Sequence, residues 1–221
     1  MIQKMEKNHK TGLEETYTSH HTKGGRRGTT MFGEQRGEFL REKIGTGKKV
    51  LDIGCRDGEL TKEYYKGNEV LGLDIDTEAL EKAQNKLGIK VKHADLHSNW
   101  GVEKSFYDVV VAGEVLEHLY YPDTVLSRVC EVLNDKGSLV GSVPNAFSLI
   151  NRIRLFLGNK KGTPLSDPTH INHFKRSELK SLLERCFDDV SIIPLGKYAW
   201  LDKFFPGMFC FMLMFEAKNK K

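Results

Sequence analysis

The sequence lacks a long apolar run, a paired-cysteine motif and a strong excess of charge. Its longest apolar stretch, residues 207–215, is about half as long as a membrane-spanning helix requires. The four cysteines form no C-x-x-C pair and no zinc-binding pattern, which favours a reducing, cytoplasmic location. The first residues are charged, so no signal peptide is expected. The net charge of +4 is too small to indicate a nucleic-acid-binding surface.

The dinucleotide-binding pattern G-x-G-x-x-G is also absent. In its place, residues 50–60 (VLDIGCRDGEL) predict a buried strand, a tight turn with Gly54 and Gly58, and the start of a helix. The carboxylate of Asp52 within this segment suits a cationic ligand better than a pyrophosphate, because opposite charges attract most where water is scarce. A second predicted strand ends at Asp74, where a carboxylate in an α/β fold can hold a ribose.

Strand and helix patterns alternate from residue 50 onwards. Five predicted strands are VLDIG, EVLGLDI, IKVKHADL, YDVVVAGEV and GSLVGSVP, and two more follow in DDVSIIPLG and GMFCFMLMFEAK. Helical patterns cover residues 59–67, 77–88 and 122–137, the last ending at Gly137. This order predicts an α/β fold with a doubly wound, mostly parallel sheet and helices on both faces.

Two segments depart from the alternation. Residues 1–30 are polar and lack apolar periodicity, so residues 1–47 are predicted to be a mobile N-terminal extension with a short helix at 32–44. Residues 48–221 form the predicted domain, interrupted at about 145–173 by a stretch too long for a simple connection. We expect this insertion to cover a substrate. Its basic amphipathic part, 147–161, favours packing over contact with a membrane surface.

The turn resembles the first motif of the class I S-adenosylmethionine-dependent methyltransferases, D/E-x-G-x-G-x-G. Here the motif reads DIGCRDG over residues 52–58, with Arg56 where the middle glycine is usual. The resemblance covers about residues 48–216 and implies a seven-stranded sheet whose last strand is antiparallel. It also implies S-adenosyl-L-methionine as the cofactor, with contacts from Asp52, Gly54, Cys55, Gly58, Asp74, Ile75, Asp95, Leu96 and Glu114.

Specific roles follow from the same resemblance. Asp74 is expected to accept both ribose hydroxyls, and Asp95 the adenine amino group. Asp52 and Gly54 are expected to face the amino-acid moiety, where Cys55 offers its backbone rather than its thiol. Glu114 closes the fourth strand, at the carboxyl edge where open α/β sheets bind ligands.

A second motif, GEVLEHL at 113–119, places Glu114, Glu117 and His118 after a buried strand. Together with DPTHINHFKRSEL at 167–179, it resembles small-molecule methyltransferases near the ubiquinone-biosynthesis O-methyltransferases. His170 and His118 are the catalytic candidates, because an imidazole can take a proton from a hydroxyl near neutral pH. In some methyltransferases, residues at this E-x-x-E-H spacing bind a metal ion. A divalent cation held by Glu114, Glu117, His118 and His170 is therefore an alternative. No metal ligand is assigned.

The sequence therefore predicts a cytoplasmic methyltransferase acting on a small-molecule acceptor, at a hydroxyl oxygen, as a monomer or homodimer. The reaction would be a direct displacement at the sulfonium methyl group. Two alternatives remain open. One is metal-assisted 2′-O-methylation of an RNA end, which the modest basic charge does not favour. The other is a regulator that binds the cofactor without catalysis. Arg56 supports this alternative, because it stands in the turn where the middle glycine is usual.

Overall fold

The computed structural model describes residues 12–23 and 28–221. Seven strands form one sheet in the order β3-β2-β1-β4-β5-β7-β6. β1 to β5 pair in parallel, whereas β7 runs antiparallel to both β5 and β6. The predicted sheet with an antiparallel last strand is confirmed. The strands are β1 (Lys49–Ile53), β2 (Glu69–Asp74), β3 (Lys90–His93), β4 (Tyr107–Gly113), β5 (Leu133–Pro144), β6 (Phe187–Leu195) and β7 (Met212–Lys220).

Helices cover both faces of this sheet. On one face, Val110 of the central strand belongs to the same apolar cluster as Leu126, and on the other Val111 packs in a cluster with Phe39. The nearly continuous apolar run of β4 is therefore buried on both sides, as expected of a central parallel strand. None of the described helices is both long and apolar enough to cross a membrane. They are α1 (Gly12–Lys23), α2 (Gly33–Ile44), α3 (Thr77–Leu87), α4 (Pro122–Val132), α5 (Leu149–Phe156) and α6 (Arg176–Leu183).

The prediction of a helix over residues 59–67 is wrong. The chain forms only a 3-10 helix there, Thr61–Glu63. The side chains of Thr61 and Tyr64 turn inward, and each donates a hydrogen bond of 2.6 Å to Asp52 Oδ2. These tertiary contacts replace the regular helix that the local pattern predicted.

The predicted end of the fourth helix is also wrong. α4 ends at Val132 rather than at Gly137, and Leu133 already adopts an extended conformation. Leu133 is fully buried and pairs with Tyr107 of β4. Pairing with the sheet therefore ends this helix before the glycine is reached.

Part of the N-terminal extension is helical, which the sequence pattern did not predict. α1 is held by polar contacts: Glu14 is 6% exposed, and its Oε1 accepts a 2.9 Å hydrogen bond from Thr77 Oγ1. The hydroxyl of Tyr17 donates to the backbone oxygen of His118 over 3.4 Å. Residues 1–11 and 24–27 of the predicted extension lie outside the described residues. The division at residue 48 and the mobility of the extension remain predictions.

Candidate active site

A cavity opens at the carboxyl ends of β1 to β4, the edge at which parallel α/β sheets bind ligands. Its wall is built mainly from the segments that follow these four strands, because the loops leaving parallel strands converge at one edge. Of the predicted cofactor contacts, those lining this cavity are Gly54, Cys55, Asp74, Ile75, Asp95, Leu96 and Glu114. Asp52 and Gly58 do not line it.

Asp74 is fixed at the cavity wall by backbone groups. Its Oδ2 accepts a 2.8 Å hydrogen bond from the N–H of Arg56, and its Oδ1 accepts one of 2.8 Å from the N–H of Asp76. In the loop after β3, Asp95 Oδ1 similarly accepts a hydrogen bond from the N–H of His97 over 2.8 Å. These hydrogen bonds hold each carboxylate in a fixed orientation at the cavity wall.

Asp52 and Gly58 maintain the conformation of the turn without lining the cavity. Asp52 is 4% exposed, and burial raises the pKa of its carboxyl to about 6 against the opposing effect of the Thr61 and Tyr64 hydrogen bonds. Gly58 has a φ of +73°, and a Cβ at this position would lie 2.7 Å from Leu87 Cδ1. A side chain at Gly58 would therefore strain the left-handed backbone of the turn and displace the Leu87 side chain.

Glu114 is paired with a buried arginine that sequence reasoning missed. Arg36, in α2, is 2% exposed, and its Nη1 donates a 2.7 Å hydrogen bond to Glu114 Oε2. The same nitrogen donates to Thr30 Oγ1 over 2.9 Å and to the backbone oxygen of Met31 over 3.2 Å. Arg36 thus links α2, the segment before it and the end of β4 at the cavity wall.

The two predicted catalytic histidines are in contact, but only His118 lines the cavity. Their rings lie edge to face with centroids 4.8 Å apart. Nδ1 of His118 is 2.9 Å from the backbone oxygen of Thr169. His170 lies behind it, with Nδ1 3.0 Å from the backbone oxygen of Pro164 and Nε2 3.6 Å from Asp167 Oδ2.

Glu117 is a buried carboxylate beside the two histidines. It is 1% exposed, and neither of its carboxylate oxygens has a hydrogen-bond partner. Burial, reinforced by the charge of Glu114, raises the pKa of Glu117 well above its usual value. Ligand atoms of Glu117, His118 and His170 lie within 4.8 Å of one another. A buried acid without a partner is costly, and this donor set fits a divalent cation.

Two further lining residues, Tyr17 and Thr30, come from the N-terminal part of the chain. The ring of Tyr17 stands edge-on to His118, with centroids 5.9 Å apart. The polar composition of this region gave no signal for either residue, because their positions depend on contacts with distant parts of the sheet edge.

The sequence has recognisable relatives. The profile of a family described as a methyltransferase domain matches residues 30–186. The ubiquinone biosynthesis O-methyltransferase of Shewanella sp. (strain ANA-3) is 31% identical over 154 residues, 62% of this chain and 62% of that protein. The chain thus spans less than two thirds of the length of this relative.

Two solved structures share the fold. A SAM-dependent methyltransferase from Archaeoglobus fulgidus is 24% identical, with a TM-score of 0.63 over 86% of this chain and 94% of that one. The 1,6-didemethyltoxoflavin-N1-methyltransferase of Burkholderia thailandensis, solved with S-adenosylhomocysteine, is 16% identical, with a TM-score of 0.65 over 95% of this chain and 88% of that one. The family profile covers well over half of the chain. The chain therefore belongs to the methyltransferase domain family, within the class I S-adenosylmethionine-dependent methyltransferases.

Proposed function

We propose that this protein transfers the methyl group of S-adenosylmethionine to a hydroxyl oxygen of a small molecule. The observation that carries the proposal is that His118 lines the same cavity as the predicted cofactor residues. A base on that wall lies within reach of an acceptor placed beside the transferred methyl group. The name of the Shewanella relative, an O-methyltransferase, supports oxygen as the acceptor atom.

The cofactor is assigned to the cavity residue by residue. Asp74 accepts hydrogen bonds from the ribose hydroxyls, and Asp95 and Leu96 meet the adenine. The backbone of Gly54 and Cys55 lies against the amino-acid moiety. Asp52 and Gly58 support this assignment indirectly, because they hold the turn in shape without lining the cavity.

His118 is the proposed base. A hydrogen bond from its Nδ1–H to the Thr169 carbonyl leaves Nε2 as the basic nitrogen. In the reaction the acceptor oxygen forms a bond to the methyl carbon while the carbon–sulfur bond breaks. The electron pair of the broken carbon–sulfur bond stays on sulfur, which becomes a neutral thioether. The hydroxyl proton passes to His118. His170, packed against His118 and beside Asp167, orients this ring.

Methyl transfer from labelled S-adenosylmethionine to a panel of phenols, catechols and hydroxy acids tests the proposal. His118→Ala should lower turnover by roughly 10²–10⁴-fold and leave the affinity for S-adenosylhomocysteine nearly unchanged. His173→Ala is the control, since it also removes an imidazole, but from a residue that is not among those that line the cavity. A protein that binds S-adenosylhomocysteine but methylates no panel member would favour the regulator. Methylation of a short RNA end alone would move the acceptor to nucleic acid.

A divalent cation at Glu117, His118 and His170 is the second candidate, favoured by the two unpartnered oxygens of Glu117. When bound, such a cation acts as a Lewis acid that makes an acceptor hydroxyl easier to deprotonate. The test is the melting temperature with added Mg²⁺, Mn²⁺ or Zn²⁺. A rise that disappears in Glu117→Gln would support the site. Loss of turnover on chelation, restored by the cation, would give His118 the role of ligand instead of base.

A further inference from the structure

The backbone of Arg56 adopts a conformation that glycine holds more easily. Its φ is +51°, in the left-handed region, at the position where the family motif has its middle glycine. The turn still forms, and the backbone N–H of Arg56 donates a hydrogen bond to Asp74. A residue that keeps this backbone despite its side chain raises the question of what the side chain does.

The side chain of Arg56 holds the N-terminal segment. Its Nη2 donates a 2.6 Å hydrogen bond to the backbone oxygen of Thr29, and its Nε donates one of 3.0 Å to Asp57 Oδ1. Asp57 Oδ2 in turn accepts a 2.7 Å hydrogen bond from the N–H of Gly28. Two consecutive residues of the turn thus bind two consecutive residues of the N-terminal segment, in one closed arrangement that we call the latch (Gly28, Thr29, Arg56 and Asp57).

The segment that follows the latch and α1 both contribute to the cavity wall. Directly after the latch, Thr30 forms part of the cavity wall and accepts a hydrogen bond from Arg36. Tyr17 of α1 also lines the cavity, while Glu14 fastens α1 to Thr77. Two separate parts of the described N-terminal residues therefore contribute to the cavity wall.

We propose that Arg56 is a positioning residue that fastens residues 28–30 across the cofactor site, so that cofactor and product exchange only when the latch opens. The proposal rests on the cofactor placement given above. It assigns a role to the very residue that departs from the family motif. Arg56 itself lines the cavity, and its proposed role is carried by its hydrogen bonds to Thr29 and Asp57.

Arg56→Gly is the decisive variant, because it removes both arginine hydrogen bonds of the latch, leaves the one from Gly28 to Asp57, and restores the residue that the turn accommodates best. Hydrogen exchange of the free protein should speed up at residues 28–32 while the strands stay protected. The melting temperature should stay the same or rise, since the strained φ is relieved. The dissociation rate of S-adenosylhomocysteine, measured by stopped flow, should increase about tenfold or more.

Arg56→Lys is the matched variant, since it keeps the charge and the left-handed backbone but loses the forked donor. It should lie between wild type and Arg56→Gly in both exchange and dissociation rate. Unchanged exchange at 28–32 and an unchanged dissociation rate in Arg56→Gly would overturn the proposal. So would a lowered melting temperature with loss of protection throughout, which would make Arg56 structural. Exchange in the free protein tests the latch independently of whether the cofactor is placed correctly.

Discussion

Tyr64 donates its hydroxyl hydrogen to Asp52 Oδ2 over 2.6 Å, in a site closed to solvent. Thr61 donates to the same oxygen over the same distance. Burial, and next the charge of Asp52, raise the pKa of Tyr64 well above its usual value, so the phenol remains a donor. Asp52 is therefore an organiser of the chain after the turn, and its protonation should affect stability.

Asp52→Asn should remove a pH dependence of stability. The pKa of Asp52 is about 6 in the folded state and 3.8 ordinarily, so the folded state binds the proton more tightly. The free energy of unfolding of the wild type should then fall by about 2–3 kcal/mol as the pH rises from about 4 to about 6. Asparagine keeps an oxygen for both hydroxyls and lacks the titration. Urea unfolding at several pH values measures the difference, and parallel profiles for wild type and variant would contradict it.

Arg36→Met should destabilise the fold by about 2–4 kcal/mol, because it removes the buried partner of Glu114 and the donor to Thr30. Arg41→Met is the matched control on the same helix: its ion pair with Glu63 is more exposed, and the loss should stay below about 1 kcal/mol. Denaturant unfolding measures both. Equal losses in the two variants would show that the Arg36 pair contributes no more than a surface pair.

Asp74→Ala should weaken binding of S-adenosylhomocysteine by roughly 1.5–3 kcal/mol, the value of charge-assisted hydrogen bonds. Calorimetry gives the affinity directly. Glu69→Ala is the control, since Glu69 begins the same strand at its other end and pairs with Lys90. An unchanged affinity in Asp74→Ala would remove this residue from the cofactor site.

Asn145→Ala should destabilise the protein by about 2–4 kcal/mol, because it leaves buried backbone groups unpaired. Asn145 is 1% exposed, and its Nδ2 donates to the backbone oxygens of Gly207 over 2.8 Å and Cys210 over 2.9 Å. Its Oδ1 accepts from the N–H of Phe147 over 3.1 Å. Thermal and urea unfolding check the loss. A change below about 1 kcal/mol would show that water replaces these hydrogen bonds.

The parts of the fold that could be predicted are those governed by local pattern. Alternating strands and helices fix the sheet, and the loops after parallel strands bring Gly54, Asp74 and Asp95 to one edge. The resemblance to small-molecule methyltransferases also singled out His118 and His170, whose rings are in contact. It could not tell which of the two lines the cavity, because that depends on how the insertion packs against residues 116–119.

The parts that could not be predicted depend on long-range polar contacts. α1 is held through Glu14 and Thr77, which lie far apart in the chain. Arg36 has the pattern of a solvated basic residue on a helix and is instead buried against Glu114. Hydrophobic periodicity carries no information on such pairs, since it records only which residues avoid water.

The short 3-10 helix after the glycine turn has a consequence for competition among nucleotides in the cell. A long α-helix at this position would place a partial positive charge at the turn and attract phosphate groups. Thr61–Glu63 is a single turn, too short to build up that dipole, and the carboxylates of Asp57 and Asp74 lie beside the same turn. ATP and the nicotinamide dinucleotides, abundant and rich in phosphate, therefore gain no helix-dipole attraction at this turn.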